Sequence, residues 1–375
     1  MTSLRATLKS ATALAAFTLS FPMASWAEEP IPVVATFSIL GDMVKRIGGE
    51  HIALTTLVGP DGDTHVYQPT PKAARSVAEA DVLFLNGLEF EGWLERLAES
   101  ASFDGAMVVA TKGVVPIAFD DHDDHDDHDD HDDHDDHDDH DKHDDHDDHD
   151  DHDKHDDHDD HDDHADHDDH DDHADHDDHD DHDKHDDHDN HDDHAGHDHG
   201  AFDPHAWHSL ENAVIYANNI AAGLAQADPE NAGDYYANRA TFISEIETLS
   251  ADIDAMMKNL PSDKRTVVTA HDAFGYFGAT YDLTFVAPQG MSTESEASAG
   301  DVAALITQIR EESISAVFIE SLTDNRMIEQ IANETGATIG GMLYAGALSA
   351  QSGPASNYLD MMRHNATTLF EALGN

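Results

Sequence analysis

The sequence predicts an α/β protein of two lobes, each a parallel sheet flanked by helices, joined by one long backbone helix. Three observations carry that expectation. Short apolar runs of β-forming residues alternate with helical patterns at both ends of the chain, an alternation that builds parallel sheets covered by helices. The alternation breaks once, for two long helical stretches in succession. A tract beginning "DDHDDHDDH" at Asp120 keeps a period of three for about eighty residues and carries almost no apolar side chain, so it cannot bury enough surface to offset the entropy of ordering.

The elements follow in order. Residues 1–27 read as a cleaved secretory signal: Arg5 and Lys9 precede the apolar run "ATALAAFTLSFPMA", and Ser25 and Ala27 occupy the −3 and −1 positions of a cleavage site. Residues 28–119 form the first part of an N-terminal lobe. Its strands are Ile31–Phe37, Ile52–Val58, Asp81–Asn86 and Ala106–Ala110, with helices at Leu40–Ile47, from Pro71 and over Glu91–Ser100. Thr70 before Pro71 supplies an N-cap and a first-turn proline. Residues 120–200 are expected to be a disordered Asp/His insert. Residues 201–228 complete the lobe with the helix Ser209–Gln226. Residues 229–262 form the linking helix, with Asp228 and Pro229 at its start. Residues 263–375 resume the alternation in a C-terminal lobe: Arg265–Ala270, a helix from Asp272, "LTFVA", Ala299–Glu312, Ser315–Glu320, Asn325–Thr335 and a closing helix from Tyr358.

Composition narrows the function. The chain has no cysteine, which excludes disulfides, thiolate metal sites and cysteine nucleophiles. It also leaves no thiol for lipid attachment, so the exported protein is expected free in solution, best suited to a bacterial periplasm, and as a monomer. Of the formal charge of −63, the tract from Asp120 to His199 contributes −42, through 45 Asp, 27 His and 3 Lys; the remainder carries −21. No basic patch offers a surface for nucleic acid or an anionic membrane. Such acidity suits a protein that meets cations.

Six histidines lie outside the tract: His51, His65, His205, His208, His271 and His364. A lone loop histidine usually carries no ligand. Three of these, however, sit where the topology sends strand-end or pre-helix loops from both lobes: His65 in "GPDGDTHVYQPTP", His205 in "FDPHAWHS" and His271 in "AHDAFGYFG". Sites of open α/β sheets lie beyond the carboxyl ends of the strands, which for two lobes is the cleft between them. Neutral imidazoles are the usual nitrogen ligands of zinc, and a tetrahedral ion needs four donors.

The segments "GPDGDTHVYQPTP", "FDPHAWHSLENA", "TAHDAFGYFG", "FIESLTDNR" and "YLDMMRHN" resemble those of periplasmic zinc-binding proteins of ABC importers, in the metal-specific group of solute-binding proteins (the ZnuA-like family). The resemblance spans nearly the whole mature chain. It implies two α/β lobes on a rigid helix with one metal in the inter-lobe cleft, His65 and His205 as the first two ligands and His271 as the third. In manganese-type relatives the third position is a carboxylate; imidazole suits Zn, while carboxylate and water suit Mn. His271 therefore argues for Zn2+, although Cu(II) and Ni(II) also bind such sites tightly. Where many relatives place a fourth ligand, an Asp in the loop matching "LYAGALS", this chain has Gly346. The fourth donor is then a water, Glu320, Asp63 or a histidine of the repeat.

The other candidates have milder roles. His208 is expected at the loop mouth or in solvent, His51 at the start of a surface strand, and His364 packing or capping in the last helix. Trp207, Tyr67 and Phe274 are expected to pack around the ligands and exclude water, and Asp203 to orient an imidazole or shape the loop. The repeat offers many weak, exchangeable sites; the expectation is a zinc collector serving the cleft, against the simpler reading of a solvated linker that tolerates expansion.

Three function classes follow. The first is capture of Zn2+ for delivery to the permease of an ABC importer, with contact to the membrane only through that permease and no chemical conversion. The second is a zinc hydrolase or hydratase built on three histidines and a water; no H-E-x-x-H motif is present, and Glu320 is the one candidate general base. The third is an exported metal buffer or adhesin acting through the repeat.

Overall fold

The computed structural model describes residues 29–118, 202–294 and 296–374. The expected signal peptide and the whole Asp/His insert lie outside the described residues. Strands β1 (Ile31–Phe37), β2 (Ile52–Val58), β3 (Val82–Leu85) and β4 (Ala106–Val109) form a parallel sheet in the order β2-β1-β3-β4. Strands β5 (Thr266–Val268), β6 (Thr284–Val286), β7 (Ala316–Glu320) and β8 (Thr338–Leu343) form a second in the order β6-β5-β7-β8. Every pairing is parallel, so each connection is a crossover. Each of those crossovers contains a helix.

Four of the helices start on a side-chain N-cap. Those of the first lobe are α1 (Ser38–Gly48), α2 (Pro71–Ala78), α3 (Leu94–Ala101) and α4 (Leu210–Ala227). Thr70 Oγ1 accepts the Ala73 N–H ahead of α2, and Ser209 does the same for Asn212 ahead of α4. A left-handed Ser102 ends α3. In the second lobe, α6 (Gly275–Tyr281), α7 (Ala299–Glu312) and α8 (Arg326–Thr335) cover the sheet, and α9 (Tyr358–Leu373) closes the chain. Ser298 and Asp301 form a reciprocal capping box on α7.

The long helix α5 (Ala232–Met257) begins after Asn231, three residues beyond the expected Asp228. Asp228 instead accepts hydrogen bonds from Asn231 and from the Tyr235 hydroxyl. Its 26 residues span ~39 Å at 1.5 Å per residue. Tyr235, Phe242, Ile246, Leu249, Ile253 and Met257 form its buried stripe, which packs on α1, α4 and α9. One hydrophobic core runs through both lobes along this helix, from Val33 and Phe84 to Phe277 and Leu369. A smaller core, including Val268, Ile309, Val317 and Ile328, lies between the second sheet and α7 and α8.

Strand β8 is absent from the sequence-based expectation. Its segment "TIGGML" holds two glycines, which weaken a strand pattern. The structure explains them: a Cβ on Gly340 would lie 2.6 Å from the Phe318 ring, and Gly341 has φ +145°. Among the described residues, no helix is long and apolar enough to cross a membrane.

Candidate metal centre

The loop after β2 is shaped by its short polar side chains. Asp63 Oδ1 accepts the backbone N–H of His65 at 2.9 Å, and the Trp93 indole donates to the Thr64 carbonyl at 2.9 Å. These bonds turn His65 inward. His205 sits at the head of the short 3-10 turn Ala206–His208. Asp203 Oδ1 accepts both its backbone N–H (2.8 Å) and its ring Nδ1–H (2.9 Å). His271 follows β5, where its backbone bridges to Gln289. Its Nδ1 lies 2.5 Å from Glu320 Oε2, while Glu320 Oε1 accepts the N–H groups of Ala270 and His271. Neither Nδ1 of His271 nor Oε2 of Glu320 makes another hydrogen bond among the described residues, so they are each other's partners.

These supports leave one nitrogen of each ring pointing at a common place. His65, His205 and His271 offer ring nitrogens that all lie within 4.8 Å of one another, and they are the sole such cluster of His, Asp and Glu among the described residues. Nε2 of His65 is 3.3 Å from Nε2 of His205. Two ligands of a tetrahedral zinc at ~2.05 Å are separated by ~3.3 Å, the edge of the tetrahedron. His205 and His271 are buried, at 0% and 1% exposure, and His65 is half-buried. Phe90 stands edge-on to His65, 4.9 Å between centroids, and Trp207 to His205 at 5.3 Å.

The electrostatics favour a neutral donor set at His205 and a supported one at His271. Burial, with His271 close by, holds His205 well below the usual histidine pKa. Its contact with Asp203 is therefore a hydrogen bond from a neutral ring to a carboxylate. Burial pushes Asp203 up to about 6. Burial also opposes charge on His271, but the Glu320 carboxylate outweighs it and holds the pKa above the ordinary value. A ring whose Nδ1–H is held by a carboxylate presents Nε2 as a lone pair with raised basicity.

Neither a Glu320 nor an Asp63 oxygen is grouped with the three imidazoles, and one expectation, the position of His208, needs correcting. Glu320 lies behind His271 on its Nδ1 side, and Asp63 Oδ2 accepts the Thr293 hydroxyl at 2.6 Å. His208 is not at the loop mouth: it is fully buried, packs at a tilt on Phe274 at 4.6 Å and donates from Nε2 to the Ala345 carbonyl at 3.0 Å. Burial drives its pKa down to about 3.

The remaining sequence candidates divide between packing and surface roles. Trp207 donates to the same Ala345 carbonyl at 2.9 Å, and Tyr67 packs on Trp93 at 4.8 Å. His51 bonds Asp234 at 2.9 Å, and His364 donates to the Met342 carbonyl at 3.0 Å. Gly346 is buried, and a Cβ added there would meet only Leu322, at 3.4 Å.

The sequence reading missed Phe90 and the buried pair Asn86 and Glu91. The stretch "NGLEFEGW" was their one signal, a polar-aromatic cluster at a strand end. Asn86 donates to the Pro204 carbonyl at 2.8 Å, beside His205, and Glu91 accepts from Thr36, Asn86 and Gly87. Together they tie the end of β3 to the His205 loop.

Two parallel-sheet lobes on one long helix, with imidazoles from both lobes converging, are the build of a metal-binding protein. Residues 33–372 match the family described as zinc-uptake complex component A, periplasmic, and the chain belongs to that family. Among curated relatives, it is 25% identical over 346 residues to a manganese-binding lipoprotein, MntA of Halalkalibacterium halodurans, covering 92% of this chain and 89% of that one. It is 25% identical over 342 residues to the iron-binding protein YfeA of Yersinia pestis, covering 91% and 86%. The periplasmic zinc binding protein TroA of Treponema pallidum superposes with a TM-score of 0.68 at 21% identity, covering 92% of this chain and 99% of that one. The Mn-bound periplasmic metal binding protein of candidatus Liberibacter asiaticus superposes at 0.65 with 24% identity, covering 91% and 98%. At these identities the two superpositions establish the fold.

Proposed function

We propose that this protein captures Zn2+ in the periplasm through His65, His205 and His271, with a water as fourth donor, and delivers it to the permease of an ABC importer. The observation that carries this reading is the 3.3 Å separation of the His65 and His205 Nε2 atoms, the ligand-ligand edge of a tetrahedral zinc. An all-imidazole donor set favours zinc over manganese, since Mn sites prefer carboxylate and water. The binding reading is preferred to hydrolysis because Glu320, the one candidate general base, is occupied with His271.

The Asp/His repeat is an auxiliary collector. Its carboxylates concentrate cations, and its imidazoles hold them weakly and exchangeably. Support comes from where it is attached: the flanking residues Ala118 and Phe202 form an antiparallel bridge three residues before His205. The same bridge makes excision practicable, since a short glycine linker can span it.

Zinc titration against a competing chelator tests both parts. The repeat-excised protein is expected to keep one tight equivalent, and His65→Ala, His205→Ala and His271→Ala each to weaken it at least 100-fold. The full chain is expected to take up several further, weaker equivalents. Tight binding that survives all three substitutions would remove these residues from the site; loss of tight binding on excision would transfer the function to the repeat.

A further inference from the structure

Asp63, set aside as a ligand, holds two things at once. Its Oδ1 accepts the His65 N–H at 2.9 Å, and its Oδ2 accepts the Thr293 hydroxyl at 2.6 Å. Thr293 belongs to the other lobe, in the segment between β6 and α7. That segment starts on the third histidine. Gln289 bridges to His271, and the Asp272 N–H reaches the carbonyls of Gln289 and Gly290, each at 3.2 Å. Met291 then turns inward, 5% exposed, and Thr293 follows two residues later. Residues 289–293 therefore run from the backbone of one proposed ligand to the carboxylate that holds the backbone of another.

The His65 loop has a second attachment to the C-terminal lobe. The Asp61 N–H donates to the Leu348 carbonyl at 2.9 Å, and Asp61 Oδ2 accepts the Ala350 N–H at 3.1 Å. Both of those bonds use main-chain groups of the partner loop. The Thr293 bond is side chain to side chain, so one substitution removes it and leaves the Asp61 attachment in place. His205 and His271 are buried and His65 is half-buried, so exchange with solvent passes His65.

We propose that the Asp63–Thr293 hydrogen bond is a cross-lobe clasp on the His65 loop that sets how long the bound metal is held. Both are positioning residues, and the inference rests on the three-histidine reading. A hydroxyl bonded to a carboxylate at this length is a charge-assisted bond. Removing it frees the loop to swing the half-exposed imidazole away, which changes dissociation more than association.

Stopped-flow release from the full zinc-loaded chain into a chromophoric chelator tests the clasp. Zinc on the repeat leaves in fast phases; the cleft equivalent is the slow phase that His205→Ala lacks. Thr293→Val is expected to speed that phase by roughly 3- to 10-fold, the size of one lost hydrogen bond, with the association rate unchanged. Thr293→Ser is expected to restore it, and the metal-free melting temperature to stay the same in all three. An unchanged slow phase in Thr293→Val overturns the clasp, as does acceleration that Thr293→Ser fails to reverse or that follows a fall in metal-free stability. A parent chain lacking any slow phase removable by His205→Ala would sink the three-histidine reading, and the clasp with it; that result is visible without the Thr293 variants.

Discussion

An imidazole gives a metal its lone pair only if the other nitrogen keeps the proton, and this chain settles the question with carboxylates. Asp203 accepts a hydrogen bond from the Nδ1–H of His205, and Glu320 faces the Nδ1 of His271 at 2.5 Å. Glu320→Gln keeps an oxygen for the Ala270 and His271 N–H groups but puts an amide where the accepting oxygen stood. Metal affinity is expected to fall 10- to 100-fold, the usual consequence of losing such a partner, with the tight equivalent weakened and not abolished. Competition titration measures it, and an unchanged affinity would remove Glu320 from the support of the site. This role was not legible in the sequence. "FIESLTDNR" marked Glu320 as an acid at a strand end, but only the folded chain shows that it approaches the ring from behind.

At the scale of elements, the alternation of strands and helices was readable because period-2 and period-3.6 patterns report burial directly. The cap at Thr70 was readable because one residue type does one local job. Strand β8 was hidden by Gly340 and Gly341, whose reason is a neighbour distant in sequence. A Cβ on Gly340 would stand 2.6 Å from Phe318 and 2.7 Å from the Ala372 methyl, between β8 and α9. Gly340→Ala is therefore expected to cost about 1–3 kcal/mol, as overpacking does, seen as a lower urea midpoint at an unchanged slope. An unshifted midpoint would show that α9 and Phe318 yield freely.

For the whole molecule, acid stability is set by opposing buried groups. His208 has a folded pKa of about 3, below its unfolded value, so the unfolded chain takes up a proton that the native chain refuses. Its contribution is complete above pH 6.5 and is lost as pH falls from 6.5 towards 3. Asp203 and Glu91, raised to about 6 by burial, act in the opposite sense. Their charged forms disfavour folding above pH 6, and that cost is relieved as pH falls through 6 towards their unfolded values. His208→Phe keeps a ring against Phe274 but removes the titration. In the metal-free protein it is expected to lose some stability at pH 7.5 and to flatten the loss below pH 6.5 by one proton, about 1.4 kcal/mol per pH unit. Denaturant unfolding at stepped pH reads this directly; parallel profiles for parent and variant would show that His208 is not the group responsible.

Local sequence pattern was enough for the two-lobed α/β plan, the long helix between the lobes, the cation-seeking charge and the three histidines in strand-end and pre-helix loops. Each of these is written in local pattern: periodicity, cap residues, composition, and position at the end of a strand. Tertiary structure alone decided what Asp63, Glu320 and His208 do, because each is a polar group whose partner lies in a distant segment. Asp63 turned out to hold Thr293, Glu320 to support His271, and His208 to meet the Ala345 carbonyl in a buried contact. A buried polar side chain must find a partner, but which partner is a matter of where the chain has folded.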